Sequence, residues 1–177
     1  MLYDPKNWYW TADDDRIFAS ARIAIVDADD PDFVAWLAAG HLATPWPRDL
    51  DGGQTTAALQ DVLTPYGLFA DLRAYAAMKR WQAEIGGIVV AGVPIATDDR
   101  SKLMITGARI KADADAGFTT PWAVGDEVFP LTSEQIVAIS DAVLSHVSEV
   151  FAAFAATVSA IADGSITTKA EVDAAFA

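Results

Sequence analysis

The sequence predicts an α+β fold: a small N-terminal antiparallel sheet with a short helix, then a helical domain with a β-hairpin and one long C-terminal helix. Three observations predict it. Short aromatic and β-branched runs alternate with turn residues over 8–26, apolar residues recur at spacings of three and four after residue 55, and past residue 131 that spacing continues unbroken to Ala162. Six Trp and eight Phe in a 53% hydrophobic composition make a core too rich for a disordered chain. At 177 residues the chain slightly exceeds the usual domain of about 100–150 residues. The expected division is a β-rich module over 1–43, a linker over 44–54, and a mostly helical domain over 55–177 with a hairpin at 88–97.

Taken in order, Trp8-Tyr9-Trp10-Thr11 and Ile17-Phe18-Ala19-Ser20 flank Asp13-Asp14-Asp15 and read as a hairpin with an acidic loop, to which 23–26 adds a third strand. Asp30 as N-cap, Pro31 at the first helical position and Gly40 just past the end frame a short helix carrying Phe33, Val34, Trp36 and Leu37. Two prolines and two glycines within 43–54 exclude a regular element there, which makes that run the candidate linker. Helical patterning resumes at Thr55, stops at Thr64-Pro65 and restarts with Leu68, Leu72, Tyr75, Met78, Trp81 and Ile85, ending at Gly86-Gly87. Ile88-Val89-Val90 and Val93-Pro94-Ile95-Ala96 flank Ala91-Gly92 as a hairpin with Pro94 on an edge. Thr97-Asp98-Asp99 offers the N-cap of a helix to about Lys111, and 118–130 returns to extended structure.

The last helix has a complete start signal. Thr132 and Gln135 form a capping box, and Leu131 and Ile136 form the hydrophobic staple across it. From there to Ala162 the helix would be about 45 Å long at 1.5 Å per residue. Ile136, Ser140, Val143, Val147, Val150, Phe154, Thr157 and Ile161 recur at alternating four and three, the seam of a coiled coil. Val137, Leu144, Phe151 and Val158 form a second heptad row, so the apolar stripe is wider than one packing partner needs, and the opposite face is mostly Ala and Ser. Gly164 ends this helix, and Thr168 with Glu171 caps a final short one.

Candidate interface residues on this reading are Ile136, Val143, Val147, Val150, Phe151, Phe154, Val158 and Ile161. Trp8 and Trp10 join them: taken alone, Trp8, Trp10, Trp36 and Trp46 read as core, but they crowd a small module that can complete its burial against a partner.

Chemistry is harder to find. Only His41 and His146 exist, neither has a His, Glu or Cys at metal or triad spacing, and Ser145 beside His146 points about 100° away on a helix. The acidic runs Asp13-Asp14-Asp15, Asp27-Ala28-Asp29-Asp30-Pro31-Asp32, Asp98-Asp99 and Asp113-Ala114-Asp115-Ala116-Gly117 read as turn chemistry and caps, and an EF-hand fails at Gly117 and Val124. There is no phosphate-binding loop, no dinucleotide glycine pattern and no nucleophile elbow. The expectation is a protein that is not an enzyme and takes no cofactor or metal.

Twelve Lys and Arg against twenty-five Asp and Glu leave a net charge of −13, which repels nucleic acid phosphates and anionic headgroups. Without cysteine there is no disulfide from which to read a compartment. The opening Met1-Leu2-Tyr3-Asp4-Pro5-Lys6 lacks the regions of a signal peptide, and no stretch approaches the ~18–20 apolar residues that span a bilayer, the most apolar one, Val150 to Ala162, being broken by Thr157 and Ser159, so no membrane insertion is expected.

Two stretches carry a family resemblance. Trp8-Tyr9-Trp10, Arg16-Ile17-Phe18-Ala19-Ser20, 30–40 and Thr44-Pro45-Trp46-Pro47 resemble the small N-terminal module of tailed-phage tail fibre and tail fibre assembly proteins. From Trp81 onward, Gly87-Ile88-Val89, 95–101, Gly107-Ala108, Trp122, Leu131-Thr132 and His146-Val147 resemble the uncharacterised domain that often follows it. The resemblance implies a bacteriophage tail component of the fibre or baseplate region, with other tail proteins or further copies of itself as partners. It would sit in the virion tail, and in the host cytoplasm during assembly. The alternative it leaves open is a tail fibre assembly chaperone. It supplies no catalytic residues, although a cell-wall hydrolase whose acids meet only in space would also lack a motif.

Overall fold

Local turn and cap chemistry fixes most element boundaries in the computed structural model, which describes residues 3–177. The fold is α+β, with a small N-terminal sheet and short helix, a helical region, β-hairpins and a long C-terminal helix. It divides into two units.

The first unit comprises the described residues up to Ala76 together with Thr157–Ala175. Its sheet has strands β1 (Tyr9–Thr11), β2 (Ile17–Ala19), β3 (Ala24–Val26) and β4 (Thr44–Pro45) in the order β3-β2-β1-β4. The β1-β2 and β2-β3 pairs are antiparallel, whereas β4 lies parallel to β1, a pairing the purely antiparallel expectation missed. Helix α1 (Pro31–Ala38) starts where Asp30 accepts from the backbone N–H groups of Asp32 and Phe33. Helix α2 (Thr56–Leu63) is capped by Thr55 and followed by a 3₁₀ turn at Thr64–Tyr66. Leu59, Leu63 and Ala70 pack into the same core as Trp8, Trp10, Phe18, Phe33, Trp36 and Trp46.

Residues 44–54 are therefore not a linker. Trp46 is buried and its indole N–H donates to the Thr55 carbonyl at 2.9 Å, while Gln54 accepts from the Asp13 backbone N–H at 2.7 Å. Asp49 accepts from the backbone N–H groups of Asp51 and Gly53, closing the turn that the two glycines allow. The expected boundary after residue 43 thus falls inside one hydrophobic core, and 55–177 is not a separate domain.

The second unit spans Ala77–Ala156. Helix α3 (Leu72–Ile85) begins in the first unit and ends in this one, at Gly87 with φ +82, where a Cβ would lie 3.1 Å from the Ile95 carbonyl oxygen. Strands β5 (Ile88–Val90) and β6 (Val93–Ile95) form the expected hairpin, with Ala91 and Gly92 both at positive φ as a two-residue turn of this twist requires. Helix α4 (Asp99–Ala114) is capped by Asp98, and the extended run beyond it forms a second hairpin, β7 (Thr119–Val124) with β8 (Glu127–Thr132). Helix α5 (Ser133–Asp163) is a single helix of 31 residues. Its capping box is present: Thr132 N–H donates to Gln135 Oε1 at 2.9 Å, and Gln135 N–H to Thr132 Oγ1 at 3.4 Å. Leu131 and Ile136 are buried together in a core that includes Ile95, Ile105, Ile139 and Val143.

Beyond residue 156 the chain returns to the first unit, where α6 (Lys169–Ala175) is held to the start of α3. The Tyr75 hydroxyl donates to Asp173 at 2.5 Å, and the Lys169 ammonium lies 4.7 Å from the centre of the Tyr75 ring and 3.0 Å from Asp173. Val172 is fully buried beside this cluster on α6.

Candidate interaction surface

Helix α5 turns its two apolar rows to different uses. Ile136, Val143 and Val150 on the seam are buried, with Ile139 beside them and Thr157 continuing the seam into the first unit. Val147, Phe154, Val158 and Ile161 are partly buried. Ile136, Val143 and Val150, expected at an interface with another protein, are instead consumed by the chain's own packing. The second row is open in its middle, where Leu144 is 68% exposed and Phe151 46% exposed, while Val137 at its start packs against the core. Around them Ser145, Ser148, Ala152 and Ala155 are exposed and small, so a partner could approach closely.

Side chains from other elements of the second unit fix the edges of this surface. The Arg80 guanidinium lies 4.9 Å from the Phe151 ring centre and 5.9 Å from that of Phe154. Glu84 holds it at 2.6 Å and accepts from Lys102 at 2.6 Å as well, which raises the Lys102 ammonium above its ordinary value. His146 Nε2 lies 3.0 Å from the Ala83 carbonyl oxygen, so that nitrogen must carry the proton and donate. Thr97, wholly buried, donates to the Glu84 carbonyl at 2.6 Å and accepts from Gly87 N–H at 3.0 Å. The C-terminal turn of α3 is thus closed by side chains, and its Arg80 is positioned under α5. Arg109 joins α4 to α5 through Asp141 at 2.6 Å.

Trp8 and Trp10 do not belong to any surface. They are 8% and 1% exposed, in the core of the first unit. The Trp8 indole N–H donates to Thr44 at 2.8 Å and the ring meets Trp36 edge-on at 5.0 Å, so β4 and α1 supply the cover that a partner was expected to provide. His41 stacks on Trp36 at 4.7 Å.

The sites weighed for chemistry are used structurally. Ser145 donates to Glu149 at 2.9 Å, away from His146. Asp14 pairs with Arg16, Asp13 with Arg48, and Asp113 with Arg109. Asp30 sits below the usual carboxylate range because Arg22 donates to it and α1 N–H groups add to that; Asp98 is lowered by the Ser101 hydroxyl and backbone. Among the described residues no group of three His, Asp or Glu side chains could hold a metal ion.

Two features went unread in the sequence. Helix α4 exposes Leu103, Met104 and Ile110, a stripe visible only once the helix orientation is known. Helix α5 is long and apolar enough to cross a membrane by length and composition only: its best window has mean hydropathy 1.5, and 22% of that window is buried within the chain. The expectation that no stretch was apolar enough is therefore corrected, because Thr157 and Ser159 cost too little hydropathy to interrupt so many Ala, Val and Phe.

Residues 68–176 match the family described as a domain of unknown function, DUF4376. No curated protein and no solved structure matches the chain.

Proposed function

The chain belongs to the DUF4376 family, and we propose that it is a non-enzymatic structural component of a bacteriophage tail, in the fibre or baseplate region, holding neighbouring proteins through α5. One observation carries this reading. An unbroken 31-residue helix buries one heptad row in its own fold and leaves Leu144 and Phe151 of the second to solvent. The polar and small residues between them suit a packed protein neighbour; Ser148 and Glu149 would be costly against lipid tails. The net charge of −13 makes nucleic acid a poor alternative partner.

The tail assignment rests on the likeness of 8–47 and of the segment from Trp81 onward to tail modules. A tail fibre assembly chaperone is the second reading, since a transient fibre contact would use the same surface. Quantitative mass spectrometry of purified particles separates them. Stoichiometric presence supports the structural role, absence from finished particles with presence in the producing cell supports the chaperone, and absence from both removes the tail reading.

A further inference from the structure

We propose that the free edge of β3 is a docking site for an extended segment of a partner protein, seated beside Ile25. The site lies wholly in the first unit, whereas Leu144 and Phe151 belong to the second, and it does not depend on the tail reading.

The sheet's own register points there. Ser20 N–H donates to the Trp8 carbonyl and Ala12 N–H to the Arg16 carbonyl, so hydrogen-bonded pairs between β1 and β2 fall at alternate positions, one of which is Trp10 with Phe18. Phe18 thus spends its N–H and C=O on β1. Its partner on the other side is Ile25, which makes Phe18 with Ile25 a non-hydrogen-bonded pair and leaves the backbone groups of Ile25 facing outward. No other backbone partner for Ile25 occurs among the described residues.

The side chains agree with the backbone. Trp10, Phe18 and Ile25 form one cross-strand row that begins in the core and ends in an isoleucine 52% exposed. A fifth strand would extend that row by one residue and cover it. Space for it exists: a cleft of about 430 Å³ runs beside Ala24, Ile25 and Val26, walled opposite by Thr167, Thr168 and Lys169.

The occupant must be extended, because a helix satisfies its own backbone and could not meet the N–H and C=O of Ile25. A second copy is a poorer fit, since its β3 would bring its own wall of 167–170 into the same cleft. Arg22 and Lys169 at the cleft are paired with Asp30 and Asp173, so recognition falls to main-chain bonds and an apolar residue opposite Ile25.

The test is selection by the full chain from a displayed library of random linear peptides of roughly ten residues, longer than an average strand. Expected are binders with β-branched or aromatic residues at alternate positions. Their affinity should fall about tenfold or more in Ile25→Lys, whose melting temperature stays that of the parent, and the Ile25 amide should exchange about tenfold more slowly when bound. The proposal is overturned by recovery of no binders above the unselected library, by equal binding to Ile25→Lys, or by an unchanged Ile25 exchange rate in the complex. Slowing of that exchange with chain concentration alone would replace the peptide by a second copy and overturn it too.

Discussion

The guanidinium of Arg80 on α3 covers one face of the Phe151 ring on α5 at 4.9 Å, while Phe151 keeps 46% of its surface exposed. The cation is itself held by Glu84 at 2.6 Å, so the ring is oriented before any partner arrives. Removing the cation in Arg80→Ala should cost about 0.5–2 kcal/mol of stability, the range of a partly screened cation–π contact. Urea denaturation checks it, with Arg80→Lys expected to recover only part because the planar stack is lost.

The division of labour between the two heptad rows predicts opposite outcomes for similar substitutions. Ile136→Ala empties a buried site and should destabilise the chain by about 2–5 kcal/mol. Leu144→Ala trims an exposed side chain and should stay within about 0.5 kcal/mol of the parent. Thermal or urea unfolding of the pair measures the contrast; equal losses would mean that Leu144 is packed.

Acid should unfold the protein through its helix caps. Asp30 and Asp98 are held below their ordinary 3.8, first by Arg22 and by the Ser101 hydroxyl respectively, and Glu171 is held below 4.5, first by the Thr167 backbone N–H. The unfolded chain therefore takes up protons before the folded one does. This contribution is complete above those ordinary values and is lost as pH falls through the depressed folded ones. Urea midpoints should hold from about pH 7 to about pH 5 and drop below about pH 4, with a smaller drop in Asp30→Asn.

Tyr75 is nearly buried and its hydroxyl reaches Asp173 across 98 positions of sequence. Tyr75→Phe deletes that bond and should cost about 1.5–3 kcal/mol, the range for a hydrogen bond to a charged group. Amide exchange should speed most in α6, at Val172, while the capping box of α5 is unaffected.

The features legible in the sequence are the local ones. Asp30-Pro31, Ala91-Gly92, Asp98, Thr132 with Gln135, and Thr168 with Glu171 act within four positions, and each cap or turn forms where its chemistry places it. What escaped depends on distant partners. The parallel pairing of β4 with β1 joins residues 34 apart and the bond from Trp8 to Thr44 residues 36 apart, which makes an edge strand of an apparent linker and core of apparent interface tryptophans. A heptad pattern states which residues share a face of α5. It does not state which row the rest of the fold covers, and so Ile136, Val143 and Val150 were grouped with the open Phe151.

The claim that α5 seats a neighbouring protein is tested most directly by a photo-cross-linking amino acid at position 144 in assembled particles, with exposed Leu50 as the control position. The account predicts a defined cross-link from position 144 to a second copy or to another tail protein, and none of that product from position 50. Particles that contain the chain but yield no such product from position 144 would contradict it.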